Sequence, residues 1–167
     1  MLDLGLLIVR SVVGLLFVGH GAQKLFGWPS GAGLARTGAW MESLGLRPGW
    51  LWALAAGLAE LVGGALLALG LLTPLAPVLL VPVMAAATVL VHARHGLWAE
   101  NGGFEYPLVN AAVAVGVGLT GPGAYALDPH LGLSVPAEPA VLSGVVLALL
   151  LGSLLGVKAS RQPAPTS

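Results

Sequence analysis

Apolar residues come in five long runs, with most polar residues between them. A hydrocarbon core of ~30 Å takes about 20 helical residues, with a usable range of roughly 17 to 25. The runs at about 4–26, 50–72, 74–95, 105–120 and 140–157 therefore predict five membrane-crossing helices in one bundle. The fourth run is the shortest. Only Thr73-Pro74 separates the second from the third, which predicts a tight helical hairpin with Pro74 at a helix start, where proline is tolerated. Pro77 and Pro82 each remove a backbone donor and predict bends in the third helix. Between the first two runs, Leu34, Met41 and Leu44 share a helical face with Trp40 beside it. That pattern predicts a short amphipathic helix lying on the membrane surface. The sequence GSLLG at 152–156 fits the small-xxx-small packing pattern, weakly in a chain with 25 glycines. The tail at 158–167 reads as disordered, and no internal repeat is visible.

Composition agrees with the pattern. Of 167 residues, 57% are hydrophobic and 8% charged, where a soluble domain carries about 25% charge. The expected fold class is an all-α integral membrane protein with a single transmembrane domain over 1–157. Net charge is zero and the basic residues are scattered, so nothing marks a nucleic-acid partner. The absence of cysteine excludes disulfides and thiol chemistry by this chain. Asp3 precedes the first run where a secretory signal would carry basic residues, so the first span reads as retained.

Charge also orients the chain. With five spans, one side holds the 27–49 loop, the 96–104 loop and the tail, with Arg36, Arg47, Lys158 and Arg161. Lys24 and Arg94 end helices facing that side. The other side holds Asp3, Asp128 and Glu138 and no Lys or Arg. The positive-inside rule then places the N-terminus outside and the C-terminus in the cytoplasm of a bacterial-type plasma membrane. Trp28, Trp40, Trp50, Trp52 and Trp98 all fall at the inner level, as an interfacial belt does; contact with a substrate is the alternative role.

Ionisable residues at membrane depth are costly and usually face a protein interior or a water-filled cavity. Helical rise puts His20, Lys24, His92, His95, Glu105 and Asn110 at one level near the inner face. His20 and Lys24 share a helix face, as do Thr88, His92 and His95. These six are the candidate ligand-binding residues. Each also has a plainer role: Lys24 snorkelling to the headgroups, His95 lying at the interface beside Arg94, Glu105 favouring a helix N-terminus. Arg10 and Glu60 lie deeper, and a buried Arg10–Glu60 ion pair is the economical expectation, since neither charge could stay alone in lipid. Bis-histidine haem ligation by His20 and His92 is geometrically open. So is a metal site built from His20, His92, His95 and Glu105.

Five segments carry a family resemblance. They are RSVVGLLFVGHGAQKLFG in the first span, AELVGGALLALGLLTP in the second, VHARHG ending the third, NGGFEYPLVNAA opening the fourth, and GPGAYALD after it. In order and spacing they resemble the DoxX family of small membrane proteins. Arg10, Gly14, Gly21, Lys24, Glu60, Gly63, Gly64, Gly70, Glu105, Tyr106, Pro107, Leu108, Gly121, Pro122, Gly123 and Asp128 fall on its pattern positions. The resemblance implies a four-helix core, with the 140–157 run as an added fifth helix. Some relatives look like membrane subunits of thiosulfate:quinone oxidoreductases, and others are associated with membrane redox complexes that include soluble enzymes. The implied function is a quinone-linked redox subunit working with a soluble oxidoreductase. In it His20, His92 or Lys24 would hold the quinone oxygens and Glu105 would exchange protons. No intrinsic cofactor is recognisable. The alternative is a non-catalytic scaffold or assembly factor for a redox complex. Solute transport is a weaker option, because no second half repeats the first.

Overall fold

The computed structural model describes residues 1–160; the rest of the predicted disordered tail, 161–167, lies outside them. The described residues form helices joined by short loops, with no strand. Helix α1 (Leu2–Phe26) ends at Gly27, whose left-handed backbone stops it. Helix α2 (Gly33–Ser43) is the amphipathic helix of the first loop. Helix α3 (Gly49–Leu69) ends at Gly70, again left-handed. A single 3₁₀ turn, Thr73–Leu75, leads into α4 (Ala76–Ala87). The same rod continues as a wider π turn at Thr88–His92 and a 3₁₀ turn at Ala93–His95. Helix α5 (Glu105–Thr120), the short α6 (Leu127–Leu131) and α7 (Ala137–Ser160) complete the chain.

Lipid supplies no hydrophobic drive between helices, so close backbone contact must hold them. Helices α1 and α3 pack most extensively, antiparallel, with glycine facing glycine. A Cβ added at Gly14 would come within 2.5 Å of the Ala68 nitrogen, and one at Gly21 within 2.6 Å of the Leu61 nitrogen. Helix α7 runs parallel to α4, with Gly144 against Pro77 and Val78 and Gly156 against Val89. The tight approach there is at Gly144. A Cβ added at Gly152 or Gly156 of the GSLLG stretch would lie at ordinary contact distance, 3.8 Å from Val89.

Two apolar cores result. Phe17, Leu67, Leu80, Met84 and Val117 fill one half of the bundle. Met41, Leu46, Ala53, Leu90 and Leu155 fill the other. Helix α2 therefore packs onto the bundle through Thr37, Gly38 and Met41, all buried, while Trp40 remains exposed.

Four segments are long and apolar enough to cross a membrane: Leu2–Leu25, Gly49–Leu69, Thr73–His95 and Ala137–Lys158. Helix α5 occupies the expected 105–120 run, but its 16 residues span only about 24 Å. It packs against α4, and to a lesser extent against α1 and α7. The alternation of helices gathers Lys24, Arg36, Arg47, Arg94 and Lys158 at one end, hereafter the basic end, and Asp3, Asp128 and Glu138 at the other.

Candidate functional site

The expected Arg10–Glu60 pair does not form. Glu60 is bound by Lys24, whose Nζ lies 2.5 Å from Glu60 Oε2. The cause is the register of α1 on α3. Gly14 faces Gly64 and Ala68, while Gly21 faces Gly57 and Leu61. Arg10 is therefore carried beside Ala68, eight residues or about 12 Å along α3 from Glu60. Lys24 starts next to Gly57, and its four-carbon stem reaches the carboxylate one turn further in.

Arg10 is buried and serves the acidic end instead. Its two terminal nitrogens donate to the Ala68 and Tyr125 carbonyls. Its Nε is a buried donor without a partner among the described residues. Asp128, also buried, accepts from the Leu72 nitrogen at 2.6 Å, the Thr73 nitrogen at 2.9 Å and the Thr73 hydroxyl at 2.8 Å. The Asp128 nitrogen donates to the Gly70 carbonyl. Asp3 accepts from the Ala124 nitrogen at 2.9 Å. These bonds tie α1, the α3–α4 turn and the loop before α6 into one cap. The role of Asp128 as a clamp has no signature in the sequence, because all its donors lie more than fifty residues away.

Toward the basic end, residues of α2, α3, α4 and α7 surround an open space. The result is a cleft of about 580 Å³, within the ~300–1,000 Å³ usual for small-molecule sites. Its walls are nearly all apolar, from alanines and leucines of α3, α4 and α7 with Trp40 and Trp52. Among the described residues, three ionisable side chains line it: Lys24, Glu60 and His92. The π turn at Thr88–His92 forms part of this wall and sets His92 at its end. Such turns are frequent at functional sites.

His92 is held by the loop that follows it. Its Nδ1 lies 2.7 Å from the Gly102 carbonyl. A carbonyl only accepts, so Nδ1 carries a hydrogen and donates it in this contact. Glu105 supports this arrangement from outside. It accepts from the Ala99 nitrogen at 2.9 Å, and its own nitrogen donates to the Leu97 carbonyl, which folds the 96–104 loop so that Gly102 meets His92.

Of the six candidates, Lys24 and His92 line the cleft; His20, His95, Glu105 and Asn110 do not. His20 is level with Glu60 but exposed on α1, and His95 is exposed beyond the π turn. Equal depth did not mean a shared direction. Among the described residues no three His, Cys, Asp or Glu side chains come together as a metal site, so the four-residue metal alternative falls. Glu60, read from sequence as a structural partner, is the carboxylate that does reach the cleft.

Apolar helices around a lateral cleft with an ion pair and a histidine on its wall define a multi-pass helical membrane protein with a small-molecule-sized cleft. The DoxX family profile matches residues 5–93, and the chain belongs to the DoxX family. It is 30% identical over 129 residues to the protein named "Putative oxidoreductase CatD" of Bacillus subtilis (strain 168), an alignment covering 77% of this chain and 88% of that protein. No solved structure matches the chain significantly.

Proposed function

We propose that this DoxX protein is the quinone-binding membrane subunit of a redox system whose electrons come from a soluble oxidoreductase partner. The observation that carries the reading is the cleft. It is apolar enough for an isoprenoid-bearing ring, and its ionisable groups are few and of the right kind. Reduction of a quinone takes two electrons and two protons, so proton-exchanging groups must reach its oxygens within ~2.6–3.2 Å. The Lys24 ammonium donates to one oxygen. The other faces His92, which accepts from a quinol hydroxyl through Nε2 and, once protonated, donates to a quinone oxygen. Glu60 holds Lys24 in place and buffers protons. The chain has no cysteine and no recognisable flavin motif, so the partner supplies the electrons. The likeness to a protein whose name contains "oxidoreductase" supports a redox setting.

The test uses the cleft's own fluorophores. Quinones quench tryptophan, and Trp40 and Trp52 line the cleft. Titration of the protein in lipid nanodiscs with a short-chain quinone should give saturable quenching, largely lost in a Trp40→Phe/Trp52→Phe double variant. His92→Ala should weaken binding by roughly tenfold, the worth of one hydrogen bond. Quenching that never saturates, or that survives the double variant unchanged, would reject the proposal.

A further inference from the structure

A second cavity, of about 290 Å³, opens at the basic end between the last turn of α1, the 27–32 loop and α2. Its character differs from that of the cleft: Gln23, Ser30, Arg36 and Thr37 contribute to its lining. Gln23 Nε2 donates to the Pro29 carbonyl and braces the loop at its rim. Two residues belong to both cavities, Lys24 and Trp40. They are the partition between a polar vestibule and an apolar cleft. The Lys24 side chain is 25% exposed, whereas that of Glu60 is 4% exposed. Lys24 thus has one side toward water while its ammonium contacts a carboxylate that water barely reaches.

We infer that this vestibule is the aqueous inlet of the cleft, and that Lys24 is the residue through which protons from the basic end reach Glu60. In the transfer, Lys24 Nζ gives a proton to a Glu60 carboxylate oxygen, leaving an amine and a carboxylic acid; vestibule hydronium then reprotonates the amine. The other ionisable groups facing the pair are His20 on α1, which interacts electrostatically with Glu60, Arg36 on α2 and His92 at the π turn. None of them lines both cavities. The destination of the proton rests on the quinone reading above, but the route to Lys24 does not.

The route is open to a direct test, because the chain has only two lysines, Lys24 and Lys158. Full-length protein in nanodiscs is treated with sulfo-N-hydroxysuccinimide acetate, a small water-soluble acylating agent, and acetylation at each lysine is followed by mass spectrometry. Lys24 is expected to be labelled, more slowly than exposed Lys158. Ala32→Trp, which fills the vestibule, is expected to slow Lys24 labelling about tenfold or more with Lys158 unchanged. Ala59→Phe, which fills the cleft, is expected to leave the Lys24 rate as it was. A Lys24 that is inert in the unaltered protein, or labelled equally fast in the Ala32→Trp variant, overturns the inlet. Should the plugged variant fail to fold, a size series of acylating reagents on the unaltered protein decides. Discrimination against bulky reagents at Lys24 and not at Lys158 supports the inlet, and its absence overturns it. Plug-sensitive labelling without quinone binding keeps the inlet and removes the quinone reading; quinone binding with plug-insensitive labelling does the reverse.

Discussion

Lys24 and Glu60 form one ion pair with two unequal members. Glu60 is buried among apolar residues, while Lys24 can turn toward the vestibule. Removing the lysine leaves a buried carboxylate without its cation, a loss on the order of 3–5 kcal/mol. Removing the glutamate leaves a lysine that still reaches water, so its cost should be closer to the ~1 kcal/mol of an exposed pair. Denaturant unfolding in detergent should therefore show Lys24→Ala well below Glu60→Ala in stability. Lys24→Met/Glu60→Met should stand near the unaltered protein, since well-packed apolar pairs often replace buried ion pairs without loss. Equal losses from the two single substitutions would show that the burial asymmetry has no energetic consequence. At this scale the sequence was only partly legible. Rise per residue gives a residue's depth, and depth groups Arg10 with Glu60, whereas Glu60 pairs with Lys24. Depth alone cannot choose between Arg10 and Lys24 as the partner of Glu60, because both side chains are long enough to cover a turn or more. Only the register of α1 on α3 decides that, and the register is set by glycines whose role shows once the two helices are brought together.

Those glycines act at the scale of the element. Gly14, Gly21, Gly57 and Gly64 lie on the α1–α3 seam, and a side chain at Gly14 or Gly64 would meet the partner helix's backbone, which cannot move aside as a side chain would. Gly14→Leu should therefore destabilise the protein by about 3 kcal/mol or more, the upper range for overpacking. Gly19 is on the same helix, and a Cβ there meets nothing within 4 Å, so Gly19→Leu should change stability by no more than about 0.5 kcal/mol. Thermal melts of the two variants in one detergent make the comparison, and similar losses would refute the seam. The apolar runs located α1, α3 and α7 well because hydrophobicity over about 20 residues is a strong signal, whereas α5 fills its run but is only 16 residues long. The third run was less transparent. It passes through a proline-containing helix, a π turn and a 3₁₀ turn in succession, and nothing in TVLVH announces the wider turn. That turn is what sets His92 on the cleft wall, so the least legible backbone feature is the one on which the site depends.

Across the whole molecule, charge and cavities follow the same polarity. The basic end carries the vestibule, the tryptophan-lined part of the cleft and the helix α2; the acidic end is closed by Arg10, Asp128 and Asp3. The redox subunit proposed above, drawing protons from one compartment, would need this asymmetry, and the positive-inside rule predicts that the basic end faces the cytoplasm. Five crossings are required for that arrangement, including one by the short α5. The chain has no cysteine, so single cysteines can report each end directly. Ser134→Cys, exposed in the loop between α6 and α7, and Ser43→Cys, exposed at the end of α2, should react with a membrane-impermeant maleimide from opposite faces of the membrane. In right-side-out vesicles Ser134→Cys should be labelled and Ser43→Cys protected, and inverted vesicles should reverse the result. Labelling of both from one face would mean that α5 does not cross and that the vestibule and the acidic cap open to the same compartment. The reverse pattern would keep the five crossings and place the proton inlet outside. The labelling of these two loop serines thus decides the compartment to which the vestibule opens, independently of what occupies the cleft.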